Sequence, residues 1–154
     1  MPLHYLDTSS VAKSYLPEAG SRWMNDLIEA EPIVISSLVL VEVASEFGRR
    51  MRESVLTAAQ RDAAYALFLQ DTQRYLVLGL VRATVREAAT LCLTAPPSLQ
   101  LRTLDALHLV TARRAFGLAR RRGQSIGALV SADQRLLRIA AMSGLPIMNP
   151  EDHP

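Results

Sequence analysis

The chain has 154 residues, 49% of them hydrophobic and 21% charged, with a formal net charge of +2. This length fits one folded domain, residues 1–154, and the composition excludes an intrinsically disordered chain. No apolar run reaches the about 18 residues of a membrane span, and residues 1–7 do not resemble a secretory signal. Cys92 is the only cysteine, so no intrachain disulfide forms and a cytoplasmic protein with no membrane association is expected.

Five short apolar runs predict β-strands at residues 3–6, 33–36, 75–80, 128–130 and 146–148. The runs are apolar at consecutive positions, which is typical of strands in a parallel sheet that is covered on both faces. Thr57 and Thr84 are each followed three residues later by Gln or Glu, the capping-box pattern, and predict helices that end near residues 73 and 93. Thr103 is predicted to cap a helix that ends near residue 120, and Gly144 to end a helix that begins near residue 132.

The predicted order is strand, helix, strand, two helices, strand, two helices, strand, helix, strand. Strands that alternate with helices in this way predict an α/β fold. We expect a three-layer α/β/α sandwich with a mostly parallel sheet of four to five strands.

Four acidic residues stand in or beside the apolar segments. Asp7 follows the first predicted strand, Asp133 follows the strand at 128–130, Glu42 lies inside the apolar stretch 33–44, and Asp105 lies in the first turn of its helix. A buried carboxylate without a partner costs several kcal/mol or loses its charge. Four such residues are easier to explain if they meet at one place and share a cation.

The predicted topology allows that meeting. In open parallel sheets, ligands bind beyond the carboxyl ends of the strands, and all four acids can project to that edge. Two carboxylates ~4 Å apart repel by about 4 kcal/mol at an effective dielectric of about 20. Helix N-termini offset only ~0.3–1 kcal/mol each, whereas a divalent cation offsets far more. Ligation by oxygen alone favours Mg²⁺ or Mn²⁺ over zinc.

Simpler roles exist for each acid. Asp7 and Asp133 are well suited to cap helices, and Glu42 fits an exposed position beside Glu46 on an amphipathic helix. We favour a shared metal site because four positions agree.

Arginine is concentrated late in the chain. The window 101–138 contains eight arginines and only two acids, Asp105 and Asp133, which gives 8 − 2 = +6. This distribution favours a polyanionic substrate, and a solvated helix side is an equally good explanation.

With these residues placed, the chain resembles the PIN-domain ribonucleases, and in particular the VapC-type toxins of bacterial toxin–antitoxin pairs. The resemblance rests on YLDTSSVAK at 5–13, SSLVLVEV at 36–43, LRTLDALHL at 101–109, VSADQRL at 130–136 and GLPIMNP at 144–150. Two departures are a longer separation of Asp105 from Asp133, and Ser131 where a threonine is common.

The resemblance implies a metal-dependent endoribonuclease, the toxin of a toxin–antitoxin pair, which hydrolyses RNA phosphodiester bonds with Mg²⁺ or Mn²⁺. Asp7 and Asp105 are the expected direct metal ligands. Glu42 would act through water or as a base that orients water, and Asp133 would complete the site or hold a second ion. A VapB-like antitoxin is expected to cover the acids, with an arginine inserted among them. A homodimer is also expected, with apolar residues of 11–15 and 23–28 as its surface.

Four further residues have open roles beside the acids. Thr8 and Ser9 can donate to a phosphate or simply cap the first helix, and capping is the simpler role. Ser131 can orient a ligand or a water molecule, and Arg102 can meet a phosphate or lie on the surface. His108 is expected to be packed in its helix because metal-assisted hydrolysis needs no imidazole.

Two other functions compete with the nuclease. A non-catalytic PIN-like adapter that binds RNA or protein would be expected to lack some of the acids, and none is missing. A phosphotransferase with Asp7 as nucleophile would normally have a second aspartate at the position of Ser9 and a later lysine. Lys13 is the only lysine of the chain, so this function is disfavoured.

Overall fold

The computed structural model describes residues 1–153, in which five strands alternate with seven α-helices. The strands are β1 (Leu3–Leu6), β2 (Ile33–Ser36), β3 (Leu76–Leu78), β4 (Ile126–Val130) and β5 (Ile147–Met148). The helices are α1 (Thr8–Lys13), α2 (Ser21–Ala30), α3 (Leu38–Arg52), α4 (Ala58–Asp71), α5 (Arg82–Thr94), α6 (Thr103–Arg121) and α7 (Gln134–Met142). Short 3₁₀ turns occupy Thr72–Arg74, Pro97–Leu99 and Pro150–Asp152.

All four strand pairings are parallel, and the strand order is β3-β2-β1-β4-β5. β1 is central: Tyr5 is in register with Val34 of β2 on one side and with Leu129 of β4 on the other. The sheet order reverses at β1, since β2 and β3 lie on one side and β4 and β5 on the other. The predicted α/β/α class is confirmed, and the sheet is wholly parallel.

Helices cover both faces of the sheet, as the alternation of side chains along β1 requires. Leu3 and Tyr5 pack with residues of α6 and α7, and Leu6 packs with residues of α1, α2 and α3. The molecule therefore has one apolar core on each side of the sheet. The carboxyl ends of β1, β2 and β4 share one edge between these two layers.

Several predicted boundaries are wrong. Two helices, not one, connect β1 to β2, and β3 is shorter than predicted. Thr57 does form the predicted capping box with Gln60. Thr84 caps nothing, because α5 begins two residues earlier, and it is buried in the stripe that packs against α6 with Ala88. Arg102, not Thr103, is the N-cap of α6.

The predicted dimer surface is also wrong. Val11, Met24 and Ile28 are buried in the core on the α1–α3 side of the sheet, and Trp23 stacks on His153 with ring centroids 4.4 Å apart. An amphipathic helix pattern shows that one face is covered, but it does not show whether the cover is the same chain or another one.

Two large exposed apolar side chains lie on β3, at a free edge of the sheet. Leu76 and Val77 of β3 are 46% and 36% exposed, because an edge strand has a neighbour on one side only. Within residues 1–153, no helix combines the length and the apolar character needed to cross a membrane.

Candidate active site

The four predicted acids lie around one cavity of about 650 Å³ at the carboxyl ends of the central strands. Asp7 directly follows β1 and is the N-cap of α1, and Asp133 follows β4 and is the N-cap of α7. Asp105 lies in the first turn of α6, and Glu42 lies in the second turn of α3. The structure therefore brings all four together, and we call this site the acidic cavity.

Asp7 is 5% exposed, and hydroxyl and amide donors surround its carboxylate. The Ser9 hydroxyl lies 2.9 Å from both oxygens, the Ser10 amide donates to Oδ1 over 2.9 Å, and the Ser131 hydroxyl donates to Oδ2 over 2.7 Å. These bonds fix the orientation of the carboxylate, because α1 and the segment after β4 both contribute donors. The Ser9 hydroxyl also accepts from the amide of Ala132.

Glu42 ends a buried chain of hydrogen bonds. The Tyr5 hydroxyl lies 2.7 Å from Nδ1 of His108, and Nε2 of His108 lies 2.8 Å from Oε2 of Glu42. The Thr8 hydroxyl donates to the same Oε2 over 2.6 Å. His108 is thus a buried link between the sheet and the acidic cavity, as well as a packed residue.

Burial and hydrogen bonding determine which groups along this chain carry a proton. Complete burial raises the pKa of Tyr5 well above its ordinary value, so the phenol stays protonated. Its hydroxyl therefore donates a hydrogen bond to Nδ1 of His108. Nδ1 then accepts, so Nε2 carries the hydrogen that Glu42 accepts. Burial opposes the ionisation of Glu42, but the hydrogen bonds from His108 and Thr8 outweigh it and lower the pKa of the carboxyl.

Arg135 of α7 bridges the remaining two acids. Its Nε donates to Oδ2 of Asp105 over 2.8 Å, and a terminal nitrogen lies 3.3 Å from Oδ2 of Asp133. The bond to Asp105 is the main reason that the pKa of Arg135 is raised. Asp105 also accepts from the amide of Arg102, and Asp133 accepts from the amides of Arg135 and Leu136. The guanidinium therefore supplies the positive charge shared by Asp105 and Asp133.

A network of ion pairs forms another wall of the acidic cavity. Lys13 has a side chain only 6% exposed, and its Nζ lies 2.9 Å from Glu151 and 3.5 Å from Glu18. Arg50 pairs with Glu18 and with Glu46. Two cations are paired with three carboxylates in this network, so this wall adds at most one net negative charge to the cavity.

The other residues singled out from the sequence also meet here. Thr8, Ser9 and Ser131 each bond directly to one of the carboxylates, and Arg102 lines the cavity. The expected capping by Asp7 and Asp133 is present as well, so these two acids both cap helices and line the cavity. The sequence analysis assigned no role at the site to Lys13, Arg50 or Arg135. For Arg135, its position two residues after Asp133 was the one available signal that it lies near the acids.

The donor set of the acidic cavity suits a hard divalent cation. Oε1 of Glu42 and Oδ1 of Asp105 accept no hydrogen bond from the described residues, although both side chains line the cavity. Among residues 1–153, no group of three or more His, Cys, Asp or Glu side chains is arranged so that it could hold a metal ion. Mg²⁺ needs no such cluster, because it is usually held by one or two carboxylates together with water and substrate phosphate.

Comparison with known families gives a match that agrees with this geometry. The family model described as PIN domain matches residues 4–142, which is most of the chain. The chain therefore belongs to the PIN-domain family. Comparison with curated proteins gives no match.

Solved structures share the fold. VapC20 of Mycobacterium tuberculosis, described as a toxin that cleaves the sarcin–ricin loop, is 18% identical, with a TM-score of 0.64 over 92% of this chain and 95% of that chain. PAE2754 from Pyrobaculum aerophilum is 16% identical, with a TM-score of 0.63 over 98% of this chain and 85% of that one. VapBC2 from Rickettsia felis, bound to a promoter DNA fragment, is 15% identical, with a TM-score of 0.58 over 96% and 98%. At these identities the likeness establishes the fold.

Proposed function

We propose that this protein is a metal-dependent endoribonuclease that hydrolyses phosphodiester bonds of RNA with Mg²⁺ or Mn²⁺. The observation that carries the proposal is the acidic cavity, where side chains from four separate elements gather at the carboxyl end of a parallel sheet. Membership of the PIN-domain family and the shared fold with VapC20 support the same activity.

The carboxylates have distinct tasks in this proposal. Asp7 and Asp105 would hold the metal directly, Glu42 would orient the attacking water, and Asp133 would complete the site. When bound, the cation polarises the phosphate and makes water more acidic. The chain's own groups hold the geometry: Ser9 and Ser131 fix Asp7, and Thr8 and His108 fix Glu42. Arg102, the N-cap of α6, lines the cavity and would attract a substrate phosphate.

Purified protein incubated with total RNA tests this proposal. Cleavage is expected with Mg²⁺ or Mn²⁺ and is expected to stop when EDTA is added. Mapping the cut ends by sequencing then identifies the RNA and the bond. RNA binding with no cleavage under any divalent ion would instead favour the non-catalytic PIN-like adapter.

We further propose that the protein is a cytoplasmic toxin held inactive by a VapB-like antitoxin. The shared fold with VapC20 and with the VapBC2 complex supports this role. An antitoxin arginine inserted among Asp7, Glu42 and Asp105 would make charge-assisted bonds to them. Expression of the chain alone is expected to arrest growth. Normal growth would argue against the toxin role and leave the nuclease proposal standing.

The proposed homodimer requires a surface other than the predicted one. Leu76 and Val77 on the free edge of β3, with Val81 and Val85 nearby in sequence, are exposed apolar residues that a second copy would cover. Val77→Lys is expected to convert a dimer into a monomer, because a lysine on an edge strand opposes pairing with another chain. Size-exclusion chromatography with light scattering at micromolar concentration measures this. A wild-type monomer would contradict the dimer itself.

Arg135→Gln is expected to lower the free energy of unfolding by about 1 kcal/mol, a small value because the ion pair is partly exposed. Asp105 and Asp133 would lose their shared positive partner. Millimolar Mg²⁺ or Mn²⁺ should therefore raise the melting temperature of the variant more than that of the wild type, as calorimetry would show. The control is Arg138→Gln, an exposed residue of α7 with no carboxylate within 4.0 Å in the described chain. Equal metal-induced shifts in all three proteins would contradict this competition.

A further inference from the structure

The second half of α6 carries three arginines around a shallow groove. Arg113, Arg114 and Arg121 line a depression of about 340 Å³, together with Glu87, Gly117 and Leu118. Residues three, four or seven to eight positions apart lie on the same side of a helix, so these arginines share one face of α6. We call this surface the arginine groove.

The packing of α5 on α6 explains where the arginine groove begins. Ala88 of α5 is buried with Ala106 and Val110 in the first half of α6. Among the described residues, Glu87 makes the one ion pair between α5 and α6, and it lies 3.7 Å from Arg113. Beyond this contact the outer face of α6 is exposed, and that is where the arginines lie.

These arginines are short of negative partners. Within residues 1–153, Arg114 and Arg121 have no carboxylate within 4.0 Å, and neither do the adjoining Arg120 and Arg122. In contrast, Arg49 and Arg50 of α3 each pair with two glutamates. Pairs three or four residues apart, such as Arg49–Glu46, stabilise a surface helix, and the described arginines of the groove make none of them. A cluster of unpaired guanidinium groups keeps its positive potential for an external anion.

We propose that the arginine groove binds phosphates of the RNA substrate at a distance from the bond that is cut. This inference rests on the proposed ribonuclease function. At 1.5 Å per residue, Arg113 and Arg121 lie ~12 Å and ~24 Å from Asp105 along the axis of α6. The groove therefore serves nucleotides outside the acidic cavity. Its ~12 Å length is enough to contact more than one phosphate of a strand.

RNA fits the arginine groove better than an acidic protein surface does. The planar guanidinium fork matches phosphate oxygens in pairs, and three forks along one helix face match a regularly repeating charge. The groove and the acidic cavity are also both on α6, so one strand that contacts both would be oriented by a single rigid element.

The test compares two triple variants with equal charge loss. The groove variant removes the three positive charges of the arginine groove and is Arg113→Gln/Arg114→Gln/Arg121→Gln. The control variant is Arg22→Gln/Arg52→Gln/Arg74→Gln. The control arginines are also exposed and without a carboxylate within 4.0 Å in the described residues, but they lie outside α6. Each variant is tested with a long single-stranded RNA that contains a mapped cleavage site and with a hexanucleotide around the same site. Circular dichroism verifies folding.

The groove variant is expected to bind the long RNA about 10- to 100-fold more weakly at low salt, with a salt slope reduced by about 2 because three phosphate contacts are lost. Its kcat on the hexanucleotide should equal the wild-type value, and the control variant should retain most of its affinity. Equal losses in both triple variants, or an unchanged salt slope in the groove variant, would overturn the inference. So would loss of poly-glutamate binding with RNA binding intact, which would identify an acidic protein as the occupant.

The same experiment separates this inference from the proposed function. EDTA-sensitive cleavage of the hexanucleotide depends on the acidic cavity alone. If cleavage occurs and the groove variant binds long RNA normally, only the arginine groove is excluded. If no cleavage occurs but RNA binding depends on Arg113, Arg114 and Arg121, the nuclease is excluded and the groove remains.

Discussion

Asp7→Asn is expected to reduce RNA cleavage roughly a thousandfold while the protein stays folded. A cation at a phosphoryl centre contributes several kcal/mol of transition-state stabilisation, and each ~1.4 kcal/mol corresponds to a factor of about ten in rate. The substitution removes one negative charge from the acidic cavity and replaces one oxygen of a proposed metal ligand with an amide nitrogen. Single-turnover cleavage of a labelled RNA at saturating Mn²⁺ measures the effect.

The fold is expected to tolerate this change. Asn is as good an N-cap as Asp, and the hydroxyls of Ser9 and Ser131 can rotate to accept from the new amide. The free energy of unfolding should change by no more than about 1 kcal/mol. Asp62→Asn is the matched control, since Asp62 is an exposed carboxylate outside the cavity that pairs with Arg61. Unchanged cleavage in Asp7→Asn, with the fold intact, would remove the proposed mechanism.

The position of the acids was predictable because it follows from the sheet. Asp7 and Asp133 stand where a strand passes into a helix, and in a parallel sheet all such junctions lie on one edge. Glu42 and Asp105 lie near the beginnings of the helices α3 and α6, at that same edge. Local sequence signals thus determine which elements approach the cavity.

The partners of the acids were not predictable in the same way. Lys13 stands at the end of α1, where a polar residue is ordinary, but the fold buries it between the nearby Glu18 and Glu151, which is distant in sequence. Arg135 reads as part of a basic helix, yet it reaches back to Asp105, thirty residues earlier. Such pairs depend on the distances between elements, which the hydrophobic pattern of a single sequence does not contain.

The incorrect dimer surface has a related cause. The pattern at 11–15 and 23–28 correctly indicated covered apolar faces, and these faces pack against Phe47, Phe68 and the sheet of the same chain. Conversely, the apolar run at 75–80 was predicted to be a covered strand, but β3 lies at the sheet edge with Leu76 exposed. Strand order decides which apolar runs are covered, and order is a property of the whole chain.

His108→Ala is expected to have the second-largest effect, on both stability and cleavage. The substitution removes the link between Tyr5 and Glu42. The fully buried phenol of Tyr5 then loses its hydrogen-bond acceptor, and Glu42 retains only the hydrogen bond from Thr8. An unsatisfied buried polar group costs about 1–3 kcal/mol, and the small cavity left by the ring adds to this. Urea unfolding should therefore show a loss of about 2–4 kcal/mol. Cleavage should fall roughly 10- to 100-fold, because a misplaced catalytic group costs about that much.

Two companion variants separate positioning of Glu42 from simple loss of packing. His108→Gln keeps a donor that can reach Glu42 and should recover most of the cleavage, whereas Tyr5→Phe should lower stability with little effect on cleavage.

The lowered pKa of Glu42 contributes stability above the ordinary titration range of a glutamate, and that contribution is lost as the pH falls through the lowered value. The stability gap between wild type and His108→Ala should accordingly narrow in acid. A folded His108→Ala protein with wild-type cleavage and a pH-independent gap would show that the position of Glu42 does not depend on His108.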